Sequence, residues 1–157
     1  MKNESEEKRN SKKIVVATGT FDLLHPGHLY YLKESRALGD ELHVIVARDK
    51  NVLHKPAPIV PEIQRVVMVA ALSPVTSARL GDPTDMMRPI EEIKPDIITL
   101  GCNQHFSEQD LEKRLRERGL LTRVVRIGEY KQCTYCSSRD IVQSILEREC
   151  QKQKSIR

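Results

Sequence analysis

Two short blocks near the start of the chain, Gly19-Thr20-Phe21-Asp22 and His25-Pro26-Gly27-His28, combine residue types suited to handling phosphate. Gly19 and Gly27 carry no side chain, so an anion can approach the backbone closely. Pro26 suits the first turn of a helix, where its missing N–H costs nothing. The free N–H groups of that turn, with the helix dipole, form an anion site. His25 and His28 share one face at a helix start, and together they can aim two imidazole donors at phosphate oxygens. A histidine pair at this spacing is more commonly a surface feature or half of a metal site. Here a strand end, a glycine turn, a proline and both histidines coincide, and that context favours phosphate chemistry.

The elements around these residues must present them at one edge. Ile14–Thr18 is a β-branched run stopped by Gly19, which reads as a buried strand. Pro26–Leu38 has helical spacing, with Gly39 as its stop. Further strands are expected at Leu42–Ala47, Val75–Leu80, Ile97–Leu100 and Arg123–Ile127. Helices are expected at 62–72, Met86–Ile93, Ser107–Arg118 and Ser138–Glu149. Strands and helices alternate throughout, which implies parallel pairing and right-handed crossovers. The strands are nearly continuous apolar runs, as in sheets covered on both faces. The expected fold is therefore α/β: a single Rossmann-like, doubly wound domain with a five-stranded parallel sheet, helices on both faces and a site at the carboxyl ends of the strands.

Composition narrows the function classes. At 157 residues the chain is one domain, and with two Phe, four Tyr and no Trp its core is aliphatic. A formal charge of +4 is too modest to argue for nucleic acid and suits a pocket that neutralises a triphosphate. No apolar run approaches a membrane span. Residues 1–12 are charged, without the apolar stretch of a secretory signal, and read as a disordered tail. The expected divisions are that tail, one folded domain over 13–149 and a C-terminal tail over 150–157, in a cytoplasmic protein. Cys102, Cys133, Cys136 and Cys150 then read as reduced thiols. The Cys133-x-x-Cys136 spacing alone would also fit a redox pair or half a zinc site.

Thr20-Phe21-Asp22 followed by His25-Pro26-Gly27-His28 resembles the signature of the His-x-Gly-His nucleotidylyltransferase superfamily, over residues 13 to about 149. A second block, Cys136-Ser137-Ser138-Arg139, is similar to the element that opens the last helix of those proteins and contacts the triphosphate. Ser137 also suits an ordinary N-cap, a role compatible with phosphate contact. Within the superfamily, Ala17–Asp22, Gly39–Leu42, Val46–Asp49, Lys94–Ile98 and Gly101-x-x-Gln104 look like the archaeal FAD synthase family. Where that family has Tyr-Asp, this chain has Cys102-Asn103. Asn103 can still accept a hydrogen bond but carries no charge, and it also reads as a plain turn residue after a strand.

The resemblance implies that Thr20, Phe21, His25, Pro26, Gly27, His28, Asn103, Tyr130, Ser137, Ser138 and Arg139 bind ATP, with Tyr130 beside the adenine. It implies that His25, His28, Lys55 and Arg139 act on the reacting phosphates, and that Arg65 lies near the acceptor. The implied reaction moves AMP from ATP to FMN, giving FAD and pyrophosphate. It uses a divalent cation (Mg) held by the ATP phosphates, with no protein metal ligands. The implied partners are ATP, FMN and a second copy of the chain, without nucleic acid or membrane. Two other readings share the pocket: transfer of AMP or CMP to another small phosphate monoester, and a non-catalytic nucleotide or redox sensor.

Overall fold

In the computed structural model, which describes residues 12–155, the first apolar run forms β1 (Ile14–Gly19) at the centre of the sheet. The following elements are α1 (Pro26–Ala37), β2 (Glu41–Val46), a 3-10 turn (Asp49–Asn51), α2 (Glu62–Ala70) and β3 (Ser77–Leu80). After them come α3 (Arg88–Ile93), β4 (Ile97–Leu100), α4 (Glu108–Glu117), β5 (Arg123–Arg126) and α5 (Ser138–Ser155). All strand pairs are parallel, in the order β3-β2-β1-β4-β5.

Alternation along β1 divides the core. Val15 and Ala17 pack with Leu42, Val44 and Val46 beneath Tyr31 and Leu32 of α1 and Val69 of α2. Val16 points the other way, among Ile98, Leu100, Ile90 of α3, and Leu111 and Leu115 of α4. Both faces are thus covered, as the apolar runs of the central strands β1 and β4 require. The expected doubly wound architecture is the one observed.

Polar ties fix α1 to the sheet. The buried Tyr31 hydroxyl donates to the Thr99 carbonyl at 2.7 Å, and Ser35 Oγ lies 2.8 Å from Thr99 Oγ1. These contacts set how far the first turn of α1 stands from the end of β1. At the opposite edge, Asp96 accepts the Ile14 N–H at 2.8 Å, the structural task of a residue given no chemistry from sequence.

The last helix corrects one expectation. It runs to Ser155, through residues expected as a tail, because Glu149–Ser155 contains neither Gly nor Pro. Lys152 and Glu149 also pair along it at 2.7 Å. The N-terminal tail expectation falls on residues 1–11, outside the described residues. Lys12 is described and pairs with Glu41 at 2.7 Å.

Candidate functional site

The strand order sends the connections from β1 and β4 to opposite sides, opening a crevice at their carboxyl ends. The turn after β1 is tightly constructed. Phe21 has φ of +52°, a left-handed conformation uncommon for a non-glycine residue, and its ring is buried. A Cβ on Gly19 would lie 2.7 Å from that ring, so this position excludes any side chain. The Phe21 ring lies 5.2 Å from the His28 ring and 6.3 Å from that of Tyr31. The side chain packs beside His28, so the ATP contact expected of Phe21 falls to its backbone.

His25 caps α1 from an extended conformation, and Pro26 occupies its first turn. The two imidazoles stack with centroids 3.8 Å apart. Burial lowers the pKa of His25, against the pull of Asp140. Burial, then the charges of His25 and Lys55, push His28 down to about 3. Both rings are therefore neutral near pH 7. Both Nδ1 atoms are buried without a hydrogen-bond partner, so we assign the proton of each ring to Nε2, the nitrogen left to act as donor.

The loop after β2 is anchored to this turn. The Asp22 carboxylate accepts N–H groups from Ile59 at 3.0 Å and Val60 at 2.8 Å. Lys55 rides on the anchored loop. Burial lowers its pKa, Asp22 raises it and Arg65 lowers it, and its charge is felt by His28. Lys55 itself is an exposed residue of that loop.

Arg65 stands elsewhere than expected. Its side chain is 0% exposed, and its guanidinium is engaged beneath the loops. Nε donates to the Val60 carbonyl at 2.8 Å, and Nη2 to the Ala47 carbonyl at 2.8 Å and Asp49 at 2.6 Å. Nη1 meets the Thr20 carbonyl. A group so enclosed cannot reach an acceptor, so Arg65 is corrected to a clamp on the loops after β1 and β2. Thr20 contributes its carbonyl to that clamp.

On the other side of the crevice, Gln104 Nε2 donates to the Thr18 carbonyl at 2.7 Å, tying the loop after β4 to β1. Asn103 is exposed at the tip of a turn in which Gln104 N bonds to the Gly101 carbonyl at 3.1 Å. Turn residue and ligand contact are compatible there. His54 and His105 face each other with ring centroids 5.9 Å apart, so the loops after β2 and β4 meet. Tyr130 stacks on Tyr30 of α1 at 5.1 Å. Asp22, Tyr30 and Gln104 were not assigned roles from sequence. The Gly101-x-x-Gln104 pattern was the available signal for Gln104.

At the start of α5, Ser137 Oγ accepts the Asp140 N–H at 3.2 Å, and Ser137 N–H donates to the Asp140 carboxylate at 3.1 Å, a reciprocal cap. Ser138 Oγ donates to the Leu23 carbonyl at 3.1 Å, joining α5 to the histidine turn. Arg139, in the first turn, is exposed. The Cys136 carbonyl lies 2.8 Å from where a Cβ on Gly27 would stand. Gly27 is therefore needed for close packing as well as for any anion.

Cys133 and Cys136 are disulfide-bonded, with Cα atoms 5.6 Å apart, which corrects the expected reduced thiols. The tight turn before α5 holds them within bonding reach. The bond coexists with the Ser137 cap and the Ser138 tie. If the site carries out the direct transfer between phosphates that the sequence resemblance implies, replacing both cysteines with serine is expected to leave turnover within about threefold of wild type, because such a transfer has no covalent step for a thiolate. Steady-state rates and a fold check by circular dichroism test this; a folded but inactive double variant would give the pair a chemical role.

Among the described residues, no group of three or more His, Cys, Asp or Glu side chains converges to hold a metal, and no helix is long and apolar enough to cross a membrane. The chain matches the cytidylyltransferase-like family model over residues 16–144. A protein from Methanospirillum hungatei named FAD synthase is 65% identical over 133 residues, covering 85% of each chain. A second FAD synthase, from Methanolacinia petrolearia, is 60% identical over 140 residues, 89% of this chain and 95% of its own. A crystal structure from Thermoplasma volcanium, described as a lipopolysaccharide core biosynthesis protein, is 45% identical with a TM-score of 0.75. It covers 77% of this chain and 100% of that one.

Proposed function

This chain belongs to the cytidylyltransferase-like family, and on that premise we propose that it transfers AMP from ATP to FMN, producing FAD and pyrophosphate. The geometric observation that carries this reading is the stacked, burial-neutralised pair His25 and His28 at the Pro26-started end of α1. The FAD synthases at 60–65% identity supply the acceptor and, because FAD contains AMP, the nucleotide.

An oxygen of the FMN phosphate attacks the α-phosphorus of ATP. The new P–O bond forms as the bond to the β-phosphate bridging oxygen breaks, and pyrophosphate departs with that electron pair. No general base is needed, since a phosphate monoester with a second pKa of about 6 is mostly dianionic near neutrality. Catalysis is then positioning and charge stabilisation. The His25 and His28 Nε2–H groups would donate to the α-phosphoryl oxygens. Lys55, Ser137, Ser138 and Arg139 would hold the pyrophosphate portion, Asn103 the adenosine portion, and Tyr130 one side of the adenine. A divalent cation (Mg) would be held by the ATP phosphates and would supply neutralisation of triphosphate charge. A cytoplasmic setting, with its ATP and FMN pools, and a homodimer without nucleic-acid or membrane partners complete the proposal.

Incubation with FMN and either ATP or CTP tests the reading. FAD and pyrophosphate are expected with ATP. Consumption of CTP in its place would shift the assignment to cytidylyl transfer.

A further inference from the structure

Arg126 ends β5, at the same sheet edge as the histidines, yet it is not available as a phosphate ligand. Its Nη1 donates to the carbonyls of Gly101 and Gln104, at 3.0 Å each, and its Nη2 meets the carbonyl of Phe106. Nε and Nη2 also grip the Glu108 carboxylate, at 2.7 and 3.1 Å. One planar fork therefore fastens both limbs of the turn between β4 and α4, together with the first residue of α4. Only a guanidinium has enough fixed donors to do so. The pairing lowers the pKa of Glu108 and raises that of Arg126.

A second side chain completes the frame. Gln104 accepts the Gly101 N–H at 3.2 Å through Oε1 and reaches the Thr18 carbonyl through Nε2. The turn is thus fixed to β5 by Arg126 and to β1 by Gln104, while Cys102 and Asn103 at its tip remain exposed. Ile127, the residue after Arg126, donates its N–H to the Leu100 carbonyl at 2.8 Å, and the same loop goes on to carry Tyr130. Arg126 therefore stands between the two loops proposed to contact adenosine.

We infer that Arg126 is a positioning residue for the nucleotide: without touching ATP, it holds the turn after β4 in the shape that presents Asn103. This role rests on the ATP reading of the site. A residue of this kind acts on binding more than on the chemical step, because the displaced group is remote from the α-phosphorus.

The test is calorimetric binding of Mg·ATP without FMN, on wild type, Arg126→Lys, Arg126→Met and Glu108→Gln, with hydrogen exchange over residues 102–106. The dissociation constant for ATP is expected to rise about tenfold in both arginine variants and about threefold in Glu108→Gln, with faster exchange in that segment. The KM for ATP should follow, while kcat and the KM for FMN change by less than about twofold. Lysine should not rescue, since one ammonium cannot span both limbs of the turn. If Arg126→Met does not fold, Arg126→Lys and Glu108→Gln carry the test. Wild-type ATP affinity in a folded arginine variant would overturn the role, as would an equal loss in every kinetic parameter. Failure of the wild type to bind ATP would overturn the ATP reading itself, and this role with it.

Discussion

Replacing His28 with alanine is expected to lower turnover by at least about a hundredfold while the dissociation constant for Mg·ATP rises only about two- to threefold. A donor aimed at the α-phosphoryl oxygens interacts most strongly when charge builds there, in the transition state. The ground-state nucleotide keeps its other contacts. His28 is well placed for this because Phe21 supports its ring, His25 stacks on it, and its pKa of about 3 keeps it neutral across the working range. Steady-state kinetics and calorimetry on the folded variant measure the split. Unchanged turnover would make His28 a packing residue.

The same variant carries a pH signature with a definite sign. The folded pKa lies below the ordinary value of 6.5, so the unfolded chain binds this proton first as pH falls. The stability linked to neutral His28 is fully present above 6.5 and is lost as pH falls toward about 3. Urea midpoints at pH 7 and pH 4 should therefore differ less in His28→Ala than in wild type.

Substituting methionine for Arg65 should destabilise the fold by about 3 kcal/mol, because three half-buried carbonyls lose the buried guanidinium that satisfies them. The carbonyls of Thr20, Ala47 and Val60 and the Asp49 carboxylate all bond to this guanidinium. Three of these groups belong to the connection after β2 and one to the phosphate turn, so KM for ATP should rise in whatever fraction folds. Chemical denaturation measures the first effect. Wild-type stability with a raised KM for FMN alone would return Arg65 to the acceptor site.

The two arginines show where sequence reasoning stops. β4 was legible because all four of its residues are buried, and three of them are large aliphatics. The start of α1 was legible because proline and the glycine turn act locally. Arg65 was expected near the acceptor because it matches a position of the family that the sequence resembles. Its partners come from loops distant in sequence, and no window of residues displays them. Arg126 reads as the polar end of a strand, and only folding brings three carbonyls of another loop to it. The cysteine pair failed for a different reason. Composition argued for reduced thiols, whereas bonding reach is a property of the turn they occupy.

The measurement that tests the central claim most directly is product analysis with ATP and a panel of acceptors: FMN, riboflavin, phosphopantetheine, glycerol 3-phosphate and nicotinamide mononucleotide. FMN should yield FAD and pyrophosphate in equal amounts, and riboflavin should yield nothing, since a free hydroxyl would need a general base and the proposed mechanism assigns that role to no residue. Conversion of riboflavin to FMN, or adenylylation of another acceptor while FMN remains untouched, would contradict the account.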